Sequence, residues 1–122
     1  MFTSRRHIRT VGATAALLLI TGTALAHARL VKSDPAADAQ VPSPKAITLT
    51  FNEALSPAFS KVQVGMADGA KVAATSAVSA DKKSLIATPT SALAPGTYTV
   101  SWQAASSDDG HKMEGKFNFT VK

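Results

Sequence analysis

Leu93-Ala94-Pro95-Gly96-Thr97-Tyr98-Thr99-Val100-Ser101-Trp102 is the stretch whose reading decides the fold. Tyr98, Val100 and Trp102 alternate with Thr97, Thr99 and Ser101. A period of two turns one set toward a core and the other toward water, as in a half-buried β-strand. Pro95-Gly96 marks a turn just ahead of it. The segment also carries the pattern of a tyrosine corner, a device of β-sandwiches in which the hydroxyl ties back to backbone a few residues upstream. Tyr98 is therefore read as structural, and Trp102, on the same strand face, as a core residue.

The same alternation recurs on both sides. Ile47, Leu49 and Phe51 show it, as do Val62, Val64 and Met66, and at the far end Phe117, Phe119 and Val121. Met66 thus falls on an apolar face and is read as core filling, a common use of methionine. Turn signals separate the runs at Pro42-Ser43-Pro44, Ser56-Pro57, Asp68-Gly69 and Asp81-Lys82. No stretch sustains a helical period. The pattern predicts an all-β domain of five to seven short antiparallel strands, a Greek-key sandwich or barrel.

The first segment reads as an export signal. Arg5, Arg6 and Arg9 precede the apolar run Val11 to Ile20, and Ala24-Leu25-Ala26 supplies a small-x-small cleavage site. The run is short for a membrane span. Ser4-Arg5-Arg6-His7-Ile8 resembles a twin-arginine signal, with the ordinary Sec route equally open. The division is residues 1–26 as signal peptide and residues 27–122 as the mature domain, which places the protein in the periplasm. Cleavage after Ala28 is the rival, and its product starts at Arg29.

Three of the thirteen Lys and Arg residues leave with the signal. Ten then stand against eight acidic residues, a net charge of +2 in the mature domain. That weak, scattered bias excludes a nucleic-acid footprint, and no basic amphipathic helix points to a membrane surface. The chain has no cysteine. The core must hold the fold without disulfides, and any metal site must use imidazole, amine, carboxylate or thioether.

Of three histidines, His7 lies in the signal, so the mature domain keeps only His27 and His111. Cleavage after Ala26 makes His27 the amino terminus, where the free α-amine and the imidazole Nδ1 chelate one metal in a six-membered ring. The amine's ordinary pKa of about 7.7–8.0 makes loss of its proton to a metal inexpensive near neutrality. His111 sits in Ser106-Ser107-Asp108-Asp109-Gly110-His111. Its imidazole and the Asp109 carboxylate complete an N,N,N,O set, which suits tetragonal Cu(II) best. Gly110 between them relaxes the backbone so that both side chains can converge. Asp108 is the rival carboxylate, and Asp-Gly is also a common plain turn.

The order and spacing of several segments resemble the CopC family of periplasmic copper-resistance proteins, including its short YobA-like members. These segments are His27-Ala28-Arg29-Leu30, Ser33-Asp34-Pro35-Ala36, Leu49-Thr50-Phe51-Asn52-Glu53, Pro95 to Trp102, Ser107 to His111, Gly115 and Phe117-Asn118-Phe119. The resemblance spans essentially the whole mature chain. It implies a cupredoxin-like or immunoglobulin-like β-sandwich of about seven strands that binds Cu(II), one per chain. It also implies that His27, Asp109 and His111 are the metal ligands, with Glu53 as a carboxylate that orients a ligating imidazole. Some members bind Cu(I) through a methionine-rich segment. Here Met66 and Met113 stand 47 residues apart, so a single Cu(II) site is expected and transfer between two sites within the chain is not.

Three functions compete. The first is sequestration of copper or its delivery to a separate, CopD-like inner-membrane transporter, by a monomer that is not an enzyme. The second is a histidine-brace oxidase or monooxygenase. Against it, one tryptophan and one tyrosine offer little substrate surface, and a fourth protein donor closes the position that catalysis needs. The third is a metal-free immunoglobulin-like interaction module, since this architecture serves many ends.

Overall fold

The structure is a computed structural model and describes residues 28–122; the export segment and His27 lie outside the described residues. Eight strands form among the described residues: β1 (Leu30–Asp34), β2 (Gln40–Val41), β3 (Ile47–Phe51), β4 (Lys61–Met66), β5 (Ala74–Val78), β6 (Ser84–Pro89), β7 (Gly96–Ala105) and β8 (Lys112–Val121). A single 3-10 turn at Pro57–Phe59 is the helical element among them. One sheet runs β1-β3-β6-β5 and the other β2-β8-β7-β4. All neighbours pair antiparallel except β2, which runs parallel to β8.

The alternating runs bury the residues that the period assigns. Ile47, Leu49 and Phe51 from β3 face Val62, Val64, Val100 and Phe119 across the interior. Fully burying each such side chain contributes about 1.5–3 kcal/mol, and these are the residues that bind the sheets together in a chain with no cysteine. Tyr98 is buried, stacks on Phe119 with ring centres 5.6 Å apart, and donates its hydroxyl to the Ala94 carbonyl at 2.6 Å. The tyrosine corner is thus in place.

Two core assignments change. Met66 is 40% exposed. It lies at the last position of β4, beside the turn that passes through Gly69. Trp102 is half-buried rather than enclosed, and it meets the Phe51 ring edge-on at 5.1 Å. The indole lies over Gly115, where a Cβ would come within 2.6 Å of Trp102 Cζ2.

β1 and β5 had no clear alternation because they are sheet edges, with most of their residues in solvent. Where β4 and β5 meet, the edge is stitched. Val62 N–H donates to Ser76 Oγ at 2.9 Å, Val72 N–H to the Val64 carbonyl at 3.0 Å, and Met66 N–H to the Ala70 carbonyl at 2.7 Å. In the turn from β5 to β6, the Ser79 hydroxyl and the Lys83 N–H both donate to Asp81, holding its carboxyl below the usual carboxylate range.

Replacing Tyr98 by Phe removes the hydroxyl and leaves the Ala94 carbonyl short of a partner. The expected cost is about 1–2 kcal/mol, read as a lower urea midpoint with an unchanged slope.

Candidate metal centre

Gly110 adopts φ +71°, a left-handed conformation that glycine accepts without strain. That one residue folds the Ser106–His111 connection between β7 and β8 back on itself. Ser106 N–H donates to the His111 carbonyl at 3.1 Å, and Gly110 N–H to the Ser106 carbonyl at 3.0 Å. The turn brings its two donor side chains together. Asp109 Oδ1 accepts from the His111 backbone N–H at 3.0 Å, and Asp109 Oδ2 lies 3.2 Å from His111 Nδ1. One carboxylate therefore fixes both the backbone and the ring of the histidine. Such a bond sets the imidazole's orientation and tautomer. The pair reaches solvent, His111 at 62% and Asp109 at 35% side-chain exposure. Asp108 engages the turn through its backbone N–H, which donates to Ser106 Oγ at 3.3 Å.

The turn rests on a buried hydroxyl. Ser106 is 1% exposed, and its Oγ donates to Glu53 Oε2 at 3.2 Å. Around it, the segment after β3 runs beside the end of β7. Ser56 N–H donates to the Ala105 carbonyl at 2.8 Å, and Ser107 N–H to the Ala54 carbonyl at 3.0 Å. Glu53 therefore reaches the turn through Ser106.

The start of the described chain comes to the same corner. Ala28 is fully buried. Arg29 N–H donates to Asn52 Oδ1 at 2.6 Å, and Asn52 N–H returns a bond to the Arg29 carbonyl at 3.1 Å. Asn52 and Glu53, consecutive just after β3, thus hold the first described residues and the Asp109–His111 turn respectively.

Of the ligands expected from sequence, Asp109 and His111 come together and His27 lies outside the described residues. Among the described residues no three His, Cys, Asp or Glu side chains gather as a metal-holding group. Two residues escaped the sequence reading. Ser106 was one member of a polar loop, although its place directly after Ala104-Ala105 carries the signal of a strand continuing inward. Asn52, between Phe51 and Glu53, carries no local pattern that marks its bond to Arg29. Met113 is 36% exposed on β8, and the neighbouring Lys112 holds its Nζ 5.2 Å from the centre of the Phe59 ring.

The CopC domain matches this chain over residues 30–122. Copper resistance protein C of Xanthomonas campestris pv. juglandis is 40% identical over 124 residues, covering 96% of this chain and 97% of that protein. Protein YobA of Escherichia coli strain K12 is 38% identical over 125 residues and is covered in full, as is this chain. Among solved structures, PcoC, a methionine-rich copper resistance protein from Escherichia coli, superposes with a TM-score of 0.72 at 42% identity, over 80% of this chain and all of PcoC. CopC from Methylosinus trichosporium OB3b does so with a TM-score of 0.72 at 37% identity, over 79% of this chain and 94% of that one.

Ser106→Ala strips a buried hydroxyl from between Glu53 and the Asp108 N–H. A loss of about 1–3 kcal/mol in unfolding free energy is expected, against less than about 0.5 kcal/mol for the exposed neighbour Ser107→Ala. Urea titration of both variants checks it.

Proposed function

The chain belongs to the CopC family, and on that premise we propose that it is a periplasmic Cu(II)-binding protein of copper resistance. It is exported, cleaved after Ala26, and holds one Cu(II) through the amine and imidazole of His27 with Asp109 and His111. Glu53 orients the turn that carries the last two.

The observation that carries this reading is the Asp109–His111 pair. Oδ2 and Nδ1 lie 3.2 Å apart on a turn fixed by Gly110 and anchored at buried Ser106. Two donors on one short, braced turn need little ordering to face a single ion, which keeps the entropic cost of binding low. A second support is the chain start. His27 is bonded to buried Ala28, and Arg29 is tied to the residue beside Glu53. Nitrogen-rich coordination selects copper over other divalent first-row ions.

The copper is cargo. An amine, two imidazoles and a carboxylate fill a tetragonal plane, and open positions are what metal catalysis requires. The protein then acts as a monomeric carrier or buffer that sequesters Cu(II) or passes it to a separate CopD-like transporter in the inner membrane. No helix among the described residues is long and apolar enough to cross a membrane. PcoC is described as methionine-rich. Apart from Met1, the present chain has only Met66 and Met113, so its copper handling rests on the one nitrogen-and-oxygen site.

Native mass spectra of protein recovered from the periplasm after copper addition test the reading. The expected species starts at His27, carries one copper, and loses it on His111→Ala. A product starting at Arg29, or a His27 product that stays metal-free, overturns it.

A further inference from the structure

The regular pairing of β1 with β3 breaks before it reaches the chain start. Lys32, Ser33 and Asp34 face Thr50, Leu49 and Thr48 in register, but a shift falls between Lys32 and Leu30, which faces Phe51. Beyond that irregularity Leu30 is the last paired residue, and a bulge frees the strand to bend where it leads to residues 28 and 29. What holds them is Asn52, through its side chain and its backbone. Asn52 Oδ1 accepts the Arg29 N–H at 2.6 Å, and the Asn52 backbone N–H donates to the Arg29 carbonyl at 3.1 Å. The two bonds close a ring around Arg29.

We propose that Asn52 is a positioning residue for copper binding, holding the amino-terminal segment in register with the Asp109–His111 turn. The inference rests on the reading of His27 as an amino-terminal ligand. Arg29 stands two positions from His27, a span of at most about 7 Å, so the clamped amide, with buried Ala28 next to it, sets where the segment carrying the donor amine and imidazole starts from. The neighbouring Glu53 reaches the opposite half of the site through Ser106 at 3.2 Å. Asn52 and Glu53 lie in the bend that follows β3, and the two adjacent residues bond to two different segments. Asn52 is exposed, so no core packing depends on its amide. Partners of this kind, which touch a ligand-bearing segment rather than the metal, typically govern affinity 10–100-fold.

The test compares wild type, Asn52→Ala and Asn52→Asp, each expressed as the full chain and recovered from the periplasm with His27 verified as first residue. Asn52→Ala is expected to weaken Cu(II) binding about tenfold and to broaden the Cu(II) electron paramagnetic resonance spectrum into more than one species. In the copper-free protein it speeds hydrogen exchange at the Arg29 amide, with the urea midpoint close to wild type. Asn52→Asp keeps the acceptor oxygen and restores affinity, spectrum and exchange protection. His111→Ala is the comparator, losing copper while leaving Arg29 exchange unchanged. If Asn52→Ala binds copper as wild type does, or if Asn52→Asp is equally impaired, the role of Asn52 falls and the copper site stands. If wild type bearing His27 binds no Cu(II), both readings fall together.

Discussion

Phe51 and Trp102 meet edge to face across the two sheets, ring centres 5.1 Å apart, and that contact ties together the two strands that lead to Asn52-Glu53 and to the Ser106–His111 turn. Phe51 is the last residue of β3, so fixing it fixes the start of Asn52-Glu53. Trp102 stands four residues before Ser106 on β7, so fixing it sets where the strand delivers its turn. Edge-to-face aromatic pairs add about 0.5–1.5 kcal/mol beyond the area they bury, and their geometry is directional in a way that aliphatic packing is not. Gly115 completes the arrangement by offering no Cβ beneath the indole. The ring can lie flat against β8 only because that position is bare.

Much of this was legible because period two is enforced wherever one face is buried. β3, β4, β7 and β8 all appeared in the sequence, and Tyr98 found its carbonyl where the corner pattern put it. The edges escaped. β1, β2 and β5 bury few residues, so selection for alternation is weak there, and the parallel pairing of β2 with β8 has no local signature. Met66 obeyed the strand's period yet sits in solvent, since parity tells which face a residue takes and not whether anything covers that face. At the site, Asp109, Gly110 and His111 could be read as a unit because their interaction is local. The bonds of Asn52 to Arg29 and of Ser106 to Glu53 join residues 23 and 53 positions apart, and no local pattern reports them.

Rigidity at this end is achieved with small polar groups instead of cross-links. A serine hydroxyl, a glycine in the left-handed region and an asparagine amide brace the corner where an exported domain of this size often uses disulfides. These bonds are individually worth about 1 kcal/mol. A frame of that strength holds the Asp109–His111 turn in one arrangement and is still weak enough to yield.

The stitching of β4 to β5 has a bearing on how the molecule behaves among its own kind. An open strand edge is a template on which another chain can extend the sheet. Here the Ser76 hydroxyl and the backbone of residues 70–72 engage the outward-facing groups of Val62, Val64 and Met66, so that flank has been turned from a template into a seam. A domain without cysteines to lock it thereby removes one of its routes to polymerisation through the act of folding itself.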